Sequence, residues 1–112
     1  MCGRSRCALH PGVVARAMHA DPTVIDEHKF EPLYNCHPGQ YTPVVYNVGG
    51  KRRVRMMQWG LTPGFAKPGA KPTPFRMFNA RCEGITSSPV FRRLVDSRRC
   101  VVPVEGFYEV GH

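Results

Sequence analysis

Cys2 stands directly after the initiating Met1. Once Met1 is removed, Cys2 carries a free amine and a free thiol on adjacent carbons. Such a 1,2-aminothiol reacts with an aldehyde at both groups. The amine condenses to an imine with loss of water, the thiol adds to the imine carbon, and a five-membered thiazolidine closes. An internal cysteine cannot do this, because its nitrogen is an amide. Small residues at position 2 generally permit methionine removal. The α-amine titrates near roughly pH 8 and a thiol near roughly 8.5, so part of each is nucleophilic around neutrality. Two other readings stand beside this one. Cys2 can serve as the nucleophile of an N-terminal cysteine peptidase or hydrolase, attacking an acyl group. It can also be a small, partly buried side chain with no chemistry.

The chain that must position this residue has 112 residues, enough for one small domain. Lys and Arg number 16 against 8 Asp and Glu, a net charge of +8. Twelve of the sixteen are arginine. A chain this basic points to a polyanion, nucleic acid first, with a basic protein lacking such a partner as the bland alternative. No stretch is apolar enough to cross a membrane, and the N-terminus lacks the apolar region of a signal peptide. Five cysteines form an odd count without a regular framework, which suits a reduced intracellular compartment. Cys2, Cys7 and His10 lie close in sequence, and Cys36 adjoins His37, but no CxxC or HxxxH spacing occurs. No metal and no other cofactor are expected.

Patterning predicts an α+β domain, mostly β. Pro11 to Ala20 reads as a short helix, with Val13, Val14, Ala17 and Met18 at helical spacing and Asp21-Pro22 as its stop. Residues 22–43 read as irregular, with Pro22, Pro32, Pro38 and Pro43 as breakers. Val44 to Val48 and Arg52 to Leu61 read as strands joined by a Gly49-Gly50 turn. Arg53 and Arg55 fall on one face of the second strand, Val54 and Met56 on the other. A loop rich in Pro, Gly and Lys follows over 62–74, then a strand over Phe75 to Arg81. Ser88-Pro89 opens a second helix whose apolar face is Val90, Phe91, Leu94 and Val95. Cys100 to Val104 and Gly106 to Val110 are β-rich, interrupted by Pro103. The sequence stops after a strand pattern, which suggests a fragment or a truncated product.

Five blocks occur in a fixed order: Met1-Cys2-Gly3-Arg4; Tyr34-Asn35 with Pro38 and Gln40; Trp59-Gly60-Leu61 with Pro63; Asn79-Ala80-Arg81 with Glu83; and Arg99-Cys100 with Pro103, then Glu105-Gly106-Phe107-Tyr108-Glu109. Together they resemble the SRAP family of abasic-site processing proteins. The resemblance covers residues 1–112 as the N-terminal part of a single SRAP domain, about its first half. It implies a barrel-like SRAP fold with short flanking helices, here truncated at the C-terminus. It also implies a DNA damage response activity in which abasic sites in single-stranded DNA are trapped at their ring-opened aldehyde as a thiazolidine crosslink. β-Lyase activity, self-release of the crosslink and autoproteolytic removal of the leading residues accompany this in the family.

By the same carry-over, Cys2 is the nucleophile, Asn79 holds the active-site end of the DNA, and Glu105 is the acid/base at sugar opening and imine formation. Arg4 and Arg81 are candidates for phosphate contacts, and Trp59 for stacking on a base beside the lesion. Each has a plainer reading: Asn79 bonded to neighbouring backbone, Glu105 a solvated turn residue, Arg81 paired with Glu83 or Glu105, Trp59 packed in the core. Arg52, Arg53, Arg55, Arg92-Arg93 and Arg98-Arg99 fit either DNA contacts or solvated surface. The expected partner is single-stranded DNA with abasic sites, with replication-fork proteins beside it, no membrane, and a monomeric chain. The expected place is intracellular, nuclear in a eukaryote and cytoplasmic in a bacterium.

The sequence departs from the family pattern at His37, at Phe65, at Gly84 after Glu83 and at Val110. The family's later histidine, in a Ser-His-x-Arg-Met-Pro-like motif, has no counterpart here, and His112 lies in no such context. Readings without covalent chemistry therefore remain: a non-catalytic DNA-binding module or an inactive SRAP fragment.

Overall fold

The computed structural model of the chain describes residues 3–63, 69 and 77–109. These residues build two sheets and one short helix. In chain order they are β1 (Arg4–Cys7), α1 (Pro11–Ala17), β2 (Val24–Ile25), a 3-10 turn (Glu27–Lys29), β3 (Leu33–Cys36), β4 (Tyr41–Val48), β5 (Lys51–Gln58), β6 (Cys100–Val101) and β7 (Gly106–Tyr108). The first sheet has the order β3-β1-β7, the second β2-β5-β4-β6. Among the described residues the sheets stay separate, and no closed barrel forms. No helix among them is long and apolar enough to cross a membrane.

The β4–β5 hairpin is the backbone of the second sheet. Its eight-residue arms pair from Tyr41↔Gln58 to Val48↔Lys51. Gly49 and Gly50 take φ of 57° and 79°, the two positive values that a two-residue turn between twisted strands requires. Period-2 alternation does the rest. Val54 and Met56 are buried while Arg55 stays exposed. Val45 and Val54 pack with Val14 and Ala15 of α1, and Met18, Ala20 and Val24 close around them. Each fully buried valine contributes about 1.5–3 kcal/mol.

α1 is shorter than its apolar pattern suggests. His10 caps it, its Nδ1 accepting from Gly12 N at 3.0 Å, and Pro11 takes the first helical position. The helix stops because His19 turns left-handed, with φ of 52°. Arg52 then donates through Nη1 to the Met18 carbonyl at 2.8 Å, satisfying a last-turn acceptor.

Several expectations are corrected. The supposedly irregular stretch 22–43 holds β2, the 3-10 turn, β3 and the start of β4. Pro43 lies inside β4 opposite Met56, not before it. It is tolerated because β6 pairs only with Val45 and Tyr46, leaving β4 an edge at position 43. β1 had no counterpart in the pattern reading. No helix forms after Ser88; residues 82–97 run mainly as consecutive turns, with Arg92 N bonded to Ser88 O and Leu94 N to Phe91 O. Residues 77–81 are not strand, and 75–76 lie outside the described residues. β6 is two residues long rather than five, as Pro103 cannot donate to a ladder.

Candidate functional site around the start of β1

β1 forms because Arg4-Ser5-Arg6-Cys7 alternates: the arginines are exposed and Ser5 and Cys7 are buried. β7 runs antiparallel beside it, with Arg4↔Tyr108, Ser5↔Phe107 and Arg6↔Gly106. The ladder therefore brings the end of the last block toward the start of the first. Cys2 itself lies outside the described residues, and Gly3 is the nearest described position.

Three segments meet near Gly3. The Phe78 ring lies at van der Waals distance, 4.0 Å from where a Gly3 Cβ would stand. Trp59 holds that segment in place: its Nε1 donates to Phe78 O at 2.8 Å, and its ring meets the Phe78 ring edge-on at 6.2 Å. Leu61 N adds a bond to Met77 O at 2.7 Å. The turn that allows this needs Gly60, whose φ is 123°. Asn79 follows Phe78 directly and lines an apolar cleft of about 440 Å³ between the two sheets. Ser5, Trp59, Leu61 and Val102 line the same cleft.

Trp59 and Asn79 are thus gathered on the cleft side of the start of β1, with Arg4 exposed on its other face. Glu105 is not. Its backbone N donates to Arg6 O at 2.9 Å, its Oε1 accepts from Ala8 N at 2.8 Å, and its Oε2 sits 3.3 Å from Arg6 Nε. That places it about 13 Å along β1 from Gly3, four residues at a strand rise of about 3.3 Å. Glu109, which follows the Tyr108 opposite Arg4, is the carboxylate at the Gly3 end of the ladder. Sequence reasoning passed over it. The signal was available: if the first and last blocks pair antiparallel, the last residue of one approaches the first of the other. Arg81 is exposed in a turn closed by Gly84 N on Arg81 O, and Glu105 pairs with Arg6 rather than with it.

The remaining arginines divide. Arg52 is a helix cap and Arg55 pairs with Asp26 at 3.4 Å, so both have structural work. The inner thiols are also structural. Ser5 Oγ lies 3.4 Å from Cys7 Sγ, and burial, then the neighbouring Cys7, pushes the Cys36 thiol up to about 11. The described cysteines are all free, and no group of His, Cys, Asp and Glu among the described residues could hold a metal ion.

The family model for SOS response associated peptidase (SRAP) matches residues 1–111, and the chain belongs to that family. It is 40% identical over 81 residues to the abasic site processing protein YoaM of Bacillus subtilis, covering 72% of this chain and 35% of that one. It is 32% identical over 109 residues to YoqW of the same organism, covering 97% of this chain and 47% of YoqW. It is 30% identical to the abasic site processing protein HMCES of Xenopus tropicalis, covering 97% of this chain and 38% of that protein. The chain therefore spans between about a third and a half of the length of these relatives.

Proposed function

We propose that the chain processes abasic sites in single-stranded DNA by trapping the ring-opened sugar on Cys2. After removal of Met1, the α-amine of Cys2 condenses with the C1′ aldehyde and releases one water. The thiol then adds to the imine carbon, its proton passing to the nitrogen, and the thiazolidine closes without any redox step. Family membership and the names of the relatives support the substrate class. The observation that carries the reading for this chain is the meeting of the β1 start, the Phe78-Asn79 segment and the Glu109 end of β7 around Gly3.

In this reading Asn79 helps hold the active-site end of the DNA, and Arg4 and Arg81 take flanking phosphates. Trp59 acts chiefly as the pin that fixes the Asn79 segment. The motif resemblance proposes Glu105 as the acid/base; the register favours Glu109. Proton transfer between sugar oxygen and amine needs a carboxylate at hydrogen-bond reach, and such groups contribute about 10²–10⁴-fold. β-Lyase action, self-release and autoproteolysis belong to the same proposal. So do a monomeric state, action beside replication-fork proteins and an intracellular location, nuclear in a eukaryote and cytoplasmic in a bacterium.

A denaturing gel tests it. Met1-processed protein is mixed with single-stranded DNA bearing one abasic site, beside Cys2→Ser and Met1-retained protein. The expected result is a shifted band that survives denaturation and vanishes in both controls. A folded sample that binds the DNA without a covalent band would instead support the non-catalytic DNA-binding reading.

A further inference from the structure

We propose that the outer face of the β3-β1-β7 sheet is a stacking platform for a nucleobase beside the lesion, with Tyr34 and Tyr108 as its aromatic surfaces. The proposal rests on the reading that the chain acts on single-stranded DNA. The inward face of β1 is Ser5 and Cys7, so Arg4 and Arg6 point the other way. Tyr108 stands opposite Arg4, on that outer face. The Arg6 guanidinium lies over the Tyr34 ring, 4.7 Å from its centroid, so Tyr34 shares the face. The Tyr108 hydroxyl donates to the Tyr34 carbonyl at 3.0 Å, so the Tyr108 side chain reaches across β1 toward β3. Each of the three strands supplies one part of a single surface.

This surface is exposed and held in place. Tyr34 is 56% and Tyr108 52% exposed, in contrast to the aromatic rings of Trp59 and Phe78, which pack on each other. Tyr108 is tethered by its hydroxyl, and Arg6 is held by Glu105. A base can therefore stack without first ordering these side chains.

The chemistry selects the occupant. An apolar protein surface would have to desolvate the Arg4 and Arg6 guanidinium groups. A single strand offers planar bases for the rings and phosphates for the guanidinium groups, and the chain carries a net charge of +8. An abasic nucleotide has no base of its own, so stacking affinity must come from its neighbours. Tyr108 lies opposite Arg4, which stands two positions after the proposed trap in the sequence.

The test uses the full chain and single-stranded DNA with 2-aminopurine on either side of one abasic site. Wild-type protein should quench the fluorescence of one flanking analogue. Tyr34→Ala and Tyr108→Ala should each abolish most of that quenching and raise Kd about tenfold. Tyr34→Phe should retain both. Circular dichroism melts check that each variant is folded, and Tyr34→Leu replaces any alanine variant that is not. No quenching by wild-type protein that binds the DNA, or a folded Tyr34→Ala, Tyr34→Leu or Tyr108→Ala variant with unchanged Kd, overturns the platform. Reaction of wild-type protein with deoxyribose 5-phosphate, which has no flanking base, reports on the covalent reading separately.

Discussion

Two glutamates four residues apart sit at opposite ends of one ladder, and their places in its register suit them to different work. Glu105 clamps β1 through Arg6 and the Ala8 amide. Its ion pair is substantially exposed, so its removal should cost under about 1 kcal/mol. Glu105→Gln keeps an acceptor for Ala8 N, and we expect crosslinking within a few-fold of wild type. Glu109→Gln should slow crosslinking by about 100-fold or more while leaving the melting midpoint unchanged. The reverse ranking in a single-turnover gel assay would return the acid/base role to Glu105. Cys36 makes a second prediction. Its thiol is raised from 9.0 to about 11 by burial, so the folded state holds its proton longer than the unfolded chain does. The resulting stability is fully present below about pH 9 and is lost as pH rises toward 11. Denaturant midpoints should fall over that window, and iodoacetamide at pH 8 should spare Cys36 in the folded protein. Labelling of Cys36 at the rate of a free thiol would contradict its burial.

At the scale of elements, the hairpin carries the second sheet and Met56 is its deepest side chain on β5, apart from Val54. Met56→Ala should destabilise the chain by about 2–5 kcal/mol, read from urea unfolding. The hairpin was legible in the sequence because Gly49-Gly50 and the Arg53-Val54-Arg55-Met56 alternation are strong local signals. β1 and β3 were not, because four residues carry too little periodicity and their partner strands lie far along the chain. Pro43 misled because its cost depends on whether a neighbour needs its missing N–H, which is decided by the length of β6. The apolar spacing after Ser88 is helical, yet the segment runs as turns; we have no physical account of that outcome. The candidate site was legible as motifs but not as geometry. The Phe78-Asn79 segment falls near Gly3, whereas the choice between Glu105 and Glu109 needs the register of β1 on β7.

At the scale of the molecule, the two sheets face an apolar cleft of about 440 Å³. An open apolar cleft of that size takes up hydrophobic dyes. The folded chain should enhance the fluorescence of anilinonaphthalene sulfonate, and Leu61→Asp should reduce the enhancement. Dye binding without a cooperative melt would point to loose packing instead. The family was legible from the order of the five blocks; the two sheets form no closed barrel among the described residues.

Mass spectrometry of the adduct reads covalent capture at residue 2 without an intermediate step. Protein is reacted with abasic single-stranded DNA, digested with protease and nuclease, and the modified peptide sequenced. The expected product is a peptide beginning at Cys2 that carries the opened sugar minus one water, with its thiol closed to alkylation. An adduct on a lysine side chain, or a Cys2 peptide left unmodified by protein that is folded and DNA-bound, would contradict it.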